Sequence, residues 1–256
     1  MVARNKKSVT RNLREEEGQG IARDLISKAD FVLENFRPGT MERWNLSYEV
    51  LSKLNPGLIM IRVSGYGQTG PYKDRAGHDI NYLSLAGVSS HCGRADSGPP
   101  PMGIQIADVA GGSHHAVMGI LAAVIHRQRT GEGQFVDVSM TDAAFALNAM
   151  AGAACLAGGQ EQKPESALLN GGSFYDYYQT RDGHWLSVGS LEPQFASRLF
   201  HTLGISEVTS LAMSQNPEHQ QHLKAALKAK IAEKPLAEWQ ESFVYEEGCV
   251  GPGIAT

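Results

Sequence analysis

The sequence has little cysteine and no pattern that would put it to use. Cys92, Cys155 and Cys249 lie far apart in 256 residues, with no C-x-x-C pairing, which argues against a disulfide framework and against a zinc site. A reducing, cytoplasmic setting is the expectation. Positive charge is also short: 23 Lys and Arg stand against 27 Asp and Glu, a formal net charge of −4. Nucleic-acid binders usually carry a basic surplus, so no nucleic-acid partner is expected. A polyanionic ligand would have to be held by local charges. No run approaches 18 consecutive apolar residues, and the basic start, Met1 to Val9, leads into a polar stretch instead of an apolar signal core. The expectation is a protein neither secreted nor membrane-spanning. His114, His115 and His126 fall on or beside one apolar segment, but no H-E-x-x-H pattern accompanies them, so no metal site is expected.

What is present is an alternation of helical and extended patterns. Glu15 to Ala29 reads as an amphipathic helix with acids at its start, followed by a strand over Phe31–Glu34. After Arg37-Pro38-Gly39 come short helical segments around Met41–Trp44 and Tyr48–Leu54, the turn Asn55-Pro56-Gly57, and a β-rich run at Leu58–Val63. Asp79–Val88 looks helical, and Gly93–Pro101 is a loop. Asp108 leads into an apolar helix over His115–Ile125, closed by Arg127, Arg129 and Gly131. Gln134–Met140 alternates as a strand, and Asp142–Leu156 reads as one alanine-rich helix. A shift in composition over Gly158–Ser166 suggests a linker. Beyond it, Phe174–Gln179 and Trp185–Gly189 flank Arg181-Asp182-Gly183-His184 as a hairpin, before helices at Gln194–Leu203, His219–Ala232 and Ala237–Phe243. The pattern predicts an α/β fold, with a larger part over residues 1–160, which the likeness described below makes Rossmann-like, and a smaller α+β part over 166–256.

Gly65-Tyr66-Gly67-Gln68-Thr69-Gly70 matches G-x-G-x-x-G after a strand. A dinucleotide turn needs a helix opening at the third glycine and an acid ending the next strand. Neither is evident, so a glycine-rich turn is the preferred reading.

Six segments together resemble CoA-transferase family III, the L-carnitine dehydratase and bile-acid-inducible group, and within it the α-methylacyl-CoA racemase branch. They are Arg4–Val9, Ala29–Trp44, Asn55–Pro71, Ala76–Val88, Ile106–Gly112 and Ser187–Phe195, in the family's order. AGHDINY at Ala76–Tyr82 and LEPQF at Leu191–Phe195 carry the likeness to the racemases. The resemblance implies a Rossmann-like large domain entered through a further N-terminal segment, a small domain extending past Thr256, and an intertwined homodimer whose active site lies between the large domain of one chain and the small domain of the other.

It also implies roles for residues. Inverting a carbon next to a thioester requires two acid/base groups on opposite faces, and a histidine with a raised carboxyl suits that task near neutrality. The matching positions are His78 and Asp108, with Glu192 orienting or balancing the histidine. In the transferase branch the residue matching Asp108 is instead a nucleophile that forms an acyl anhydride. Arg37 and Arg43, with Arg4 and Lys7, are the candidates for the phosphate groups of CoA, which enters as part of an acyl-CoA substrate; no other cofactor is implied. A shortened, inactive CoA-binding remnant is the third alternative. Read locally, Asp108 is a helix N-cap, His78 a structural histidine, and Glu192 a first-turn acid stabilised by the helix dipole. Gly111-Gly112 would admit a close ligand, and the helix start at Asp108 would offer N–H donors to an enolate oxygen.

Overall fold

The computed structural model describes residues 4–252. It contains two compact units, one built from residues 4–88 and 101–152 and the other from 89–100 and 153–252.

The first unit is organised on a parallel sheet of order β1-β2-β3, with β1 at Phe31–Glu34, β2 at Ile59–Ser64 and β3 at Gln134–Ser139. Leu33 pairs with Ile61, and Ile61 with Val136. Central β2 reads IMIRVS because both of its faces are covered, so the strand cannot alternate apolar and polar residues. On one face Met60 packs with Leu58, Met41, Leu46 and Leu51, supplied by α2 (Thr40–Arg43) and α3 (Tyr48–Leu54) and their flanks. Helix α1 (Glu16–Ile26) adds Ala22 and Ile26. On the other face Ile59 and Ile61 meet Ala116, Ile120, Ala123 and Val124 of α5 (His115–Thr130). Gly131 ends α5 in the left-handed conformation, φ 81°, donating its N–H to Arg127 O at 2.7 Å, a stop that few other residues accept without strain.

Three departures from the sequence reading arise here. The helix that Asp108 was expected to cap begins earlier: a π-helical segment, Ile106–His114, runs directly into α5, with Gln105 at its N-cap and Asp108 inside its first turn. The helix expected over Asp142–Leu156 is two, α6 (Met140–Leu147) and α7 (Ala149–Gly158), bent by 78° at Asn148. Finally, Ile106–Thr130 is long and apolar enough to cross a bilayer by length and composition, although no unbroken apolar run exists. Its inner face packs on the sheet, while Val117, Met118, Leu121 and Ile125 are exposed.

Helix α4 (Asp79–Leu85) completes the first unit. The loop after β2 holds Gly67 and Gly70 at φ 81° and 83° and opens no helix before α4, in keeping with a glycine turn.

The second unit has an antiparallel sheet of order β4-β5-β6, formed by Asp176–Gln179, Trp185–Val188 and Val250–Pro252. Helix α8 (Pro193–Leu203) buries Ala196, Leu199, Phe200 and Leu203 at helical spacing, and α9 (Pro217–Ile231) buries Leu223, Leu227 and Ile231. Helix α10 (Leu236–Phe243) adds Trp239, whose indole N–H reaches Ile231 O at 2.8 Å. Each such fully buried side chain contributes about 1.5–3 kcal/mol.

Residues 89–100, within the span assigned above to the larger part, pack with this unit. Arg94 makes a two-pronged pair with Asp176, both contacts at 2.7 Å, and the Ala95 N–H donates to Glu165 Oε2 at 3.0 Å. Lys224 of α9 joins Asp176 at 3.0 Å.

Candidate functional site

His78 occupies the N-cap of α4, extended at φ −132°. Its backbone N–H is held by Asn81 Oδ1 at 3.0 Å, which ties the residue to the start of the helix and leaves the ring exposed. Asp79 follows as the first helical residue and is buried. Its Oδ1 accepts the backbone N–H of Asp108 at 3.0 Å, so the buried carboxylate bridges α4 to the π-helical segment.

That bridge sets His78 and Asp108 in one electrostatic neighbourhood. Burial pushes the Asp108 carboxyl above the usual carboxylate range, the negative charge of Asp79 pushes it further, and His78 opposes both. Asp108 is therefore a carboxyl that keeps its proton more readily than an ordinary aspartate and lies within the electrostatic reach of an exposed imidazole. Such a pair can hand protons to and from a ligand.

The floor of the site is aromatic. Tyr82, one turn into α4, donates its hydroxyl to Gly77 O at 2.5 Å and packs edge-on to Tyr66 with ring centroids 5.2 Å apart. A Cβ on Gly65 would lie 2.4 Å from the Tyr82 ring and one on Gly77 2.7 Å from it, so both glycines exist to admit this tyrosine. Burial raises the Tyr82 phenol, with Tyr66, Asp108 and Asp79 adding to it.

A Cβ on Gly111 would meet Met140 O at 3.1 Å, and one on Gly112 would meet Met140 and Val63 side-chain atoms at 3.2 Å. These glycines let the π-helical segment seat on α6 and β2. The Asp108 N–H, counted among the donors for an enolate oxygen, is already given to Asp79. Asp108 is likewise not the cap, since Gln105 holds that position.

The basic candidates are surface groups of the first unit. Arg37 is exposed in the loop after β1, and Arg43, exposed on α2, donates to Oγ1 of the buried Thr40 at 2.8 Å. Arg4 and Lys7 are exposed ahead of α1. The loop bearing Arg37 leaves the carboxyl end of β1, the edge at which ligands enter open parallel sheets. Glu192 belongs to the second unit, exposed at the N-cap of α8 before Pro193. That unit also holds a cleft of about 350 Å³ lined by Arg94, Glu165, Asp176, Tyr177, Trp185 and Lys224. Arg94, Lys224, Glu165 and Asp176 are spent on one another there. Among the described residues no cluster of three metal-ligating side chains occurs.

The sequence profile of CoA-transferase family III matches residues 1–253. The chain belongs to this family. Family III relatives of known activity include the α-methylacyl-CoA racemases of Mus musculus and Homo sapiens, each 37% identical, with 98% of this chain aligned to 66% of theirs. A succinyl-CoA–D-citramalate CoA-transferase of Chloroflexus aurantiacus is 41% identical over 211 residues, 82% of this chain and 52% of that one. Among solved structures, a CAIB/BAIF family protein from Brucella suis shares 29% identity with a TM-score of 0.79, covering 98% of this chain and 67% of its own. An M. tuberculosis protein shares 28% with a TM-score of 0.82, covering 99% and 68%. The chain thus spans about two thirds of the racemases it matches, and family III offers it both racemase and transferase relatives. The mixed α/β fold with a parallel sheet is that of these solved structures.

Sequence reasoning missed Asp79. In His78-Asp79 the aspartate reads as a first-turn acid on a short helix, and nothing local signals that its carboxylate reaches a segment 29 residues on.

Proposed function

We propose that the chain carries the proton-transfer half of a 2-methylacyl-CoA racemase, acting without metal or nicotinamide. The observation that carries this reading is the hydrogen bond from the Asp108 N–H to Asp79 Oδ1, which seats Asp108, a carboxyl raised by burial, beside the start of α4 in the electrostatic reach of His78. One group removes the α-proton, leaving an enolate on the thioester, and the other returns a proton to the opposite face. When the direction reverses, so do the roles. Burial and the Asp79 charge raise the Asp108 carboxyl toward neutrality, where a carboxyl can both give and take a proton, which supports its acid/base use.

Arg37 and Arg43, with Arg4 and Lys7, are assigned to the CoA phosphates, and Glu192 to orienting the histidine. A homodimer in the cytoplasm is part of the same proposal. The exposed Val117, Met118, Leu121 and Ile125 on α5 support burial of that face against another chain.

The transferase relative at 41% identity supports a second reading, with Asp108 forming an acyl anhydride. The two separate in deuterated water. A racemase incorporates α-deuterium into (R)-2-methylacyl-CoA while optical purity falls, and His78→Ala or Asp108→Ala lowers the rate by about 10²–10⁴-fold. If folded protein gives no exchange but moves CoA to an acceptor acid through a hydroxylamine-sensitive intermediate, the racemase reading is wrong.

A further inference from the structure

Asp79 is a buried carboxylate for which the two-base scheme has no task. It follows His78 directly in the sequence and accepts the Asp108 N–H through Oδ1 at 3.0 Å. Burying a carboxylate is costly, and one backbone N–H plus the first turn of a seven-residue helix compensates it sparingly. A neutral acceptor such as asparagine would make the same hydrogen bond at lower cost. What asparagine would not supply is charge.

We propose that Asp79 is a positioning residue for Asp108: its carboxylate anchors the turn that carries Asp108 and places a negative charge beside the Asp108 carboxyl. The inference rests on the reading of Asp108 as the reacting carboxyl. With the charge in place, Asp108 holds its proton to higher pH.

The other groups around Asp108 are few. Helix α4 presents His78, Asp79 and Tyr82, and the glycine loop adds Tyr66, which packs on Tyr82. Helix α6 presents Met140, Ala143 and Ala144 to the π-helical segment, none of them titratable. His115, at the far end of that segment, turns its Nδ1 to Ala110 O at 2.7 Å. His78 draws the Asp108 carboxyl down, so Asp79 is the one charge on α4 that raises it.

The test is a titration of the Asp108 carboxyl in the full chain, labelled with 13C at the aspartate carboxyls and assigned by loss of its signal in Asp108→Asn. Asp79→Asn keeps an oxygen acceptor and removes the charge, and the Asp108 midpoint is expected to fall. The corresponding limb of the pH profile for α-deuterium exchange should move the same way, with kcat lowered and KM little changed. Asp79→Ser serves the same purpose if the asparagine variant does not fold. An Asp108 midpoint that stays put in a folded neutral variant would overturn the proposal. Absence of exchange beside a lowered midpoint would refute the racemase reading and leave the control of Asp108 by Asp79 standing.

Discussion

Arg62 shows how a single residue can hold the edge of the sheet from which the site is built. It is 5% exposed, on a strand otherwise apolar. Its Nε lies 2.9 Å from Glu34 Oε1, its Nη1 lies 2.6 Å from Glu42 Oε1 and donates to Gln68 Oε1 at 3.2 Å, and its guanidinium stacks 5.6 Å from the Phe135 ring. The loops after β1 and β2 are thus tied to one cation. Burial pushes the Glu34 carboxyl up; the Phe36 N–H and Arg62 pull against it, and Glu42 adds to the rise. Arg62→Met fills the volume but strands Glu34, and breaking a buried pair in this way costs about 3–5 kcal/mol. Urea denaturation of the variant should show that loss, and adding Glu34→Gln should recover part of it. A double variant no more stable than Arg62→Met would mean that the buried charge is not the cause. Nothing in the β-rich run marks Arg62 as an anchor, because Glu34, Glu42 and Gln68 come from 6 to 28 positions away and spacing does not name them. The neighbourhood of His78 and Asp108 was legible only through family likeness, for 30 positions separate them and no periodicity links them.

Elements with local punctuation were read well and elements shaped by tertiary packing were not. Helix α8 begins at Pro193 and ends at Gly204 in the left-handed conformation, and its apolar spacing was plain in the sequence. The bend at Asn148 carries neither proline nor glycine, and the extra residue per turn of the π-helical segment leaves no mark on apolar periodicity. Both are set by what packs around them, as with Gly111 against Met140 O. The same logic separates two glycines that look alike in sequence. A Cβ on Gly119 of α5 would sit 2.7 Å from Val136 Cγ1, whereas one on Gly20 of α1 meets nothing within 4 Å. Gly119→Ala should destabilise by about 1–3 kcal/mol through overpacking. Gly20→Ala should stabilise by about 0.5–1 kcal/mol, because alanine loses less backbone freedom in a helix. Opposite shifts of the urea midpoint are the expected result. Equal shifts would mean that α5 has room to move off β3.

On the scale of the whole molecule, the more buried carboxyls of the two units are shifted in opposite directions, although the exposed Glu49 of the first unit is held low by Ser47. In the second unit, burial pushes Asp176 up, but hydrogen bonds from Arg94, Lys224 and the Tyr177 N–H outweigh it and hold the carboxyl below the usual range. Glu165 is held low by the Ala95 N–H, against some burial, with help from Arg94 and Lys224. A carboxyl held below its unfolded value, about 3.9 for Asp and 4.3 for Glu, stabilises the fold above that value and loses the contribution as pH falls through the folded one. In the first unit Glu34 and Asp108 are raised, so the folded state binds their protons more tightly than the unfolded chain does. Their contribution is complete below the unfolded values and declines as pH rises through the folded ones. Lowering the pH from 7 toward 3 should therefore weaken the Arg94 clasp while relieving the carboxyls of the first unit. Hydrogen exchange read by peptide should show residues 89–100 and 165–179 losing protection at a higher pH than β2 and α4 do. Arg94→Met removes the clasp in advance, leaving Asp176 buried beside Lys224 alone, and should carry that loss to neutral pH. If β2 and α4 lose protection first, the charges of the second unit are not what limits its stability in acid.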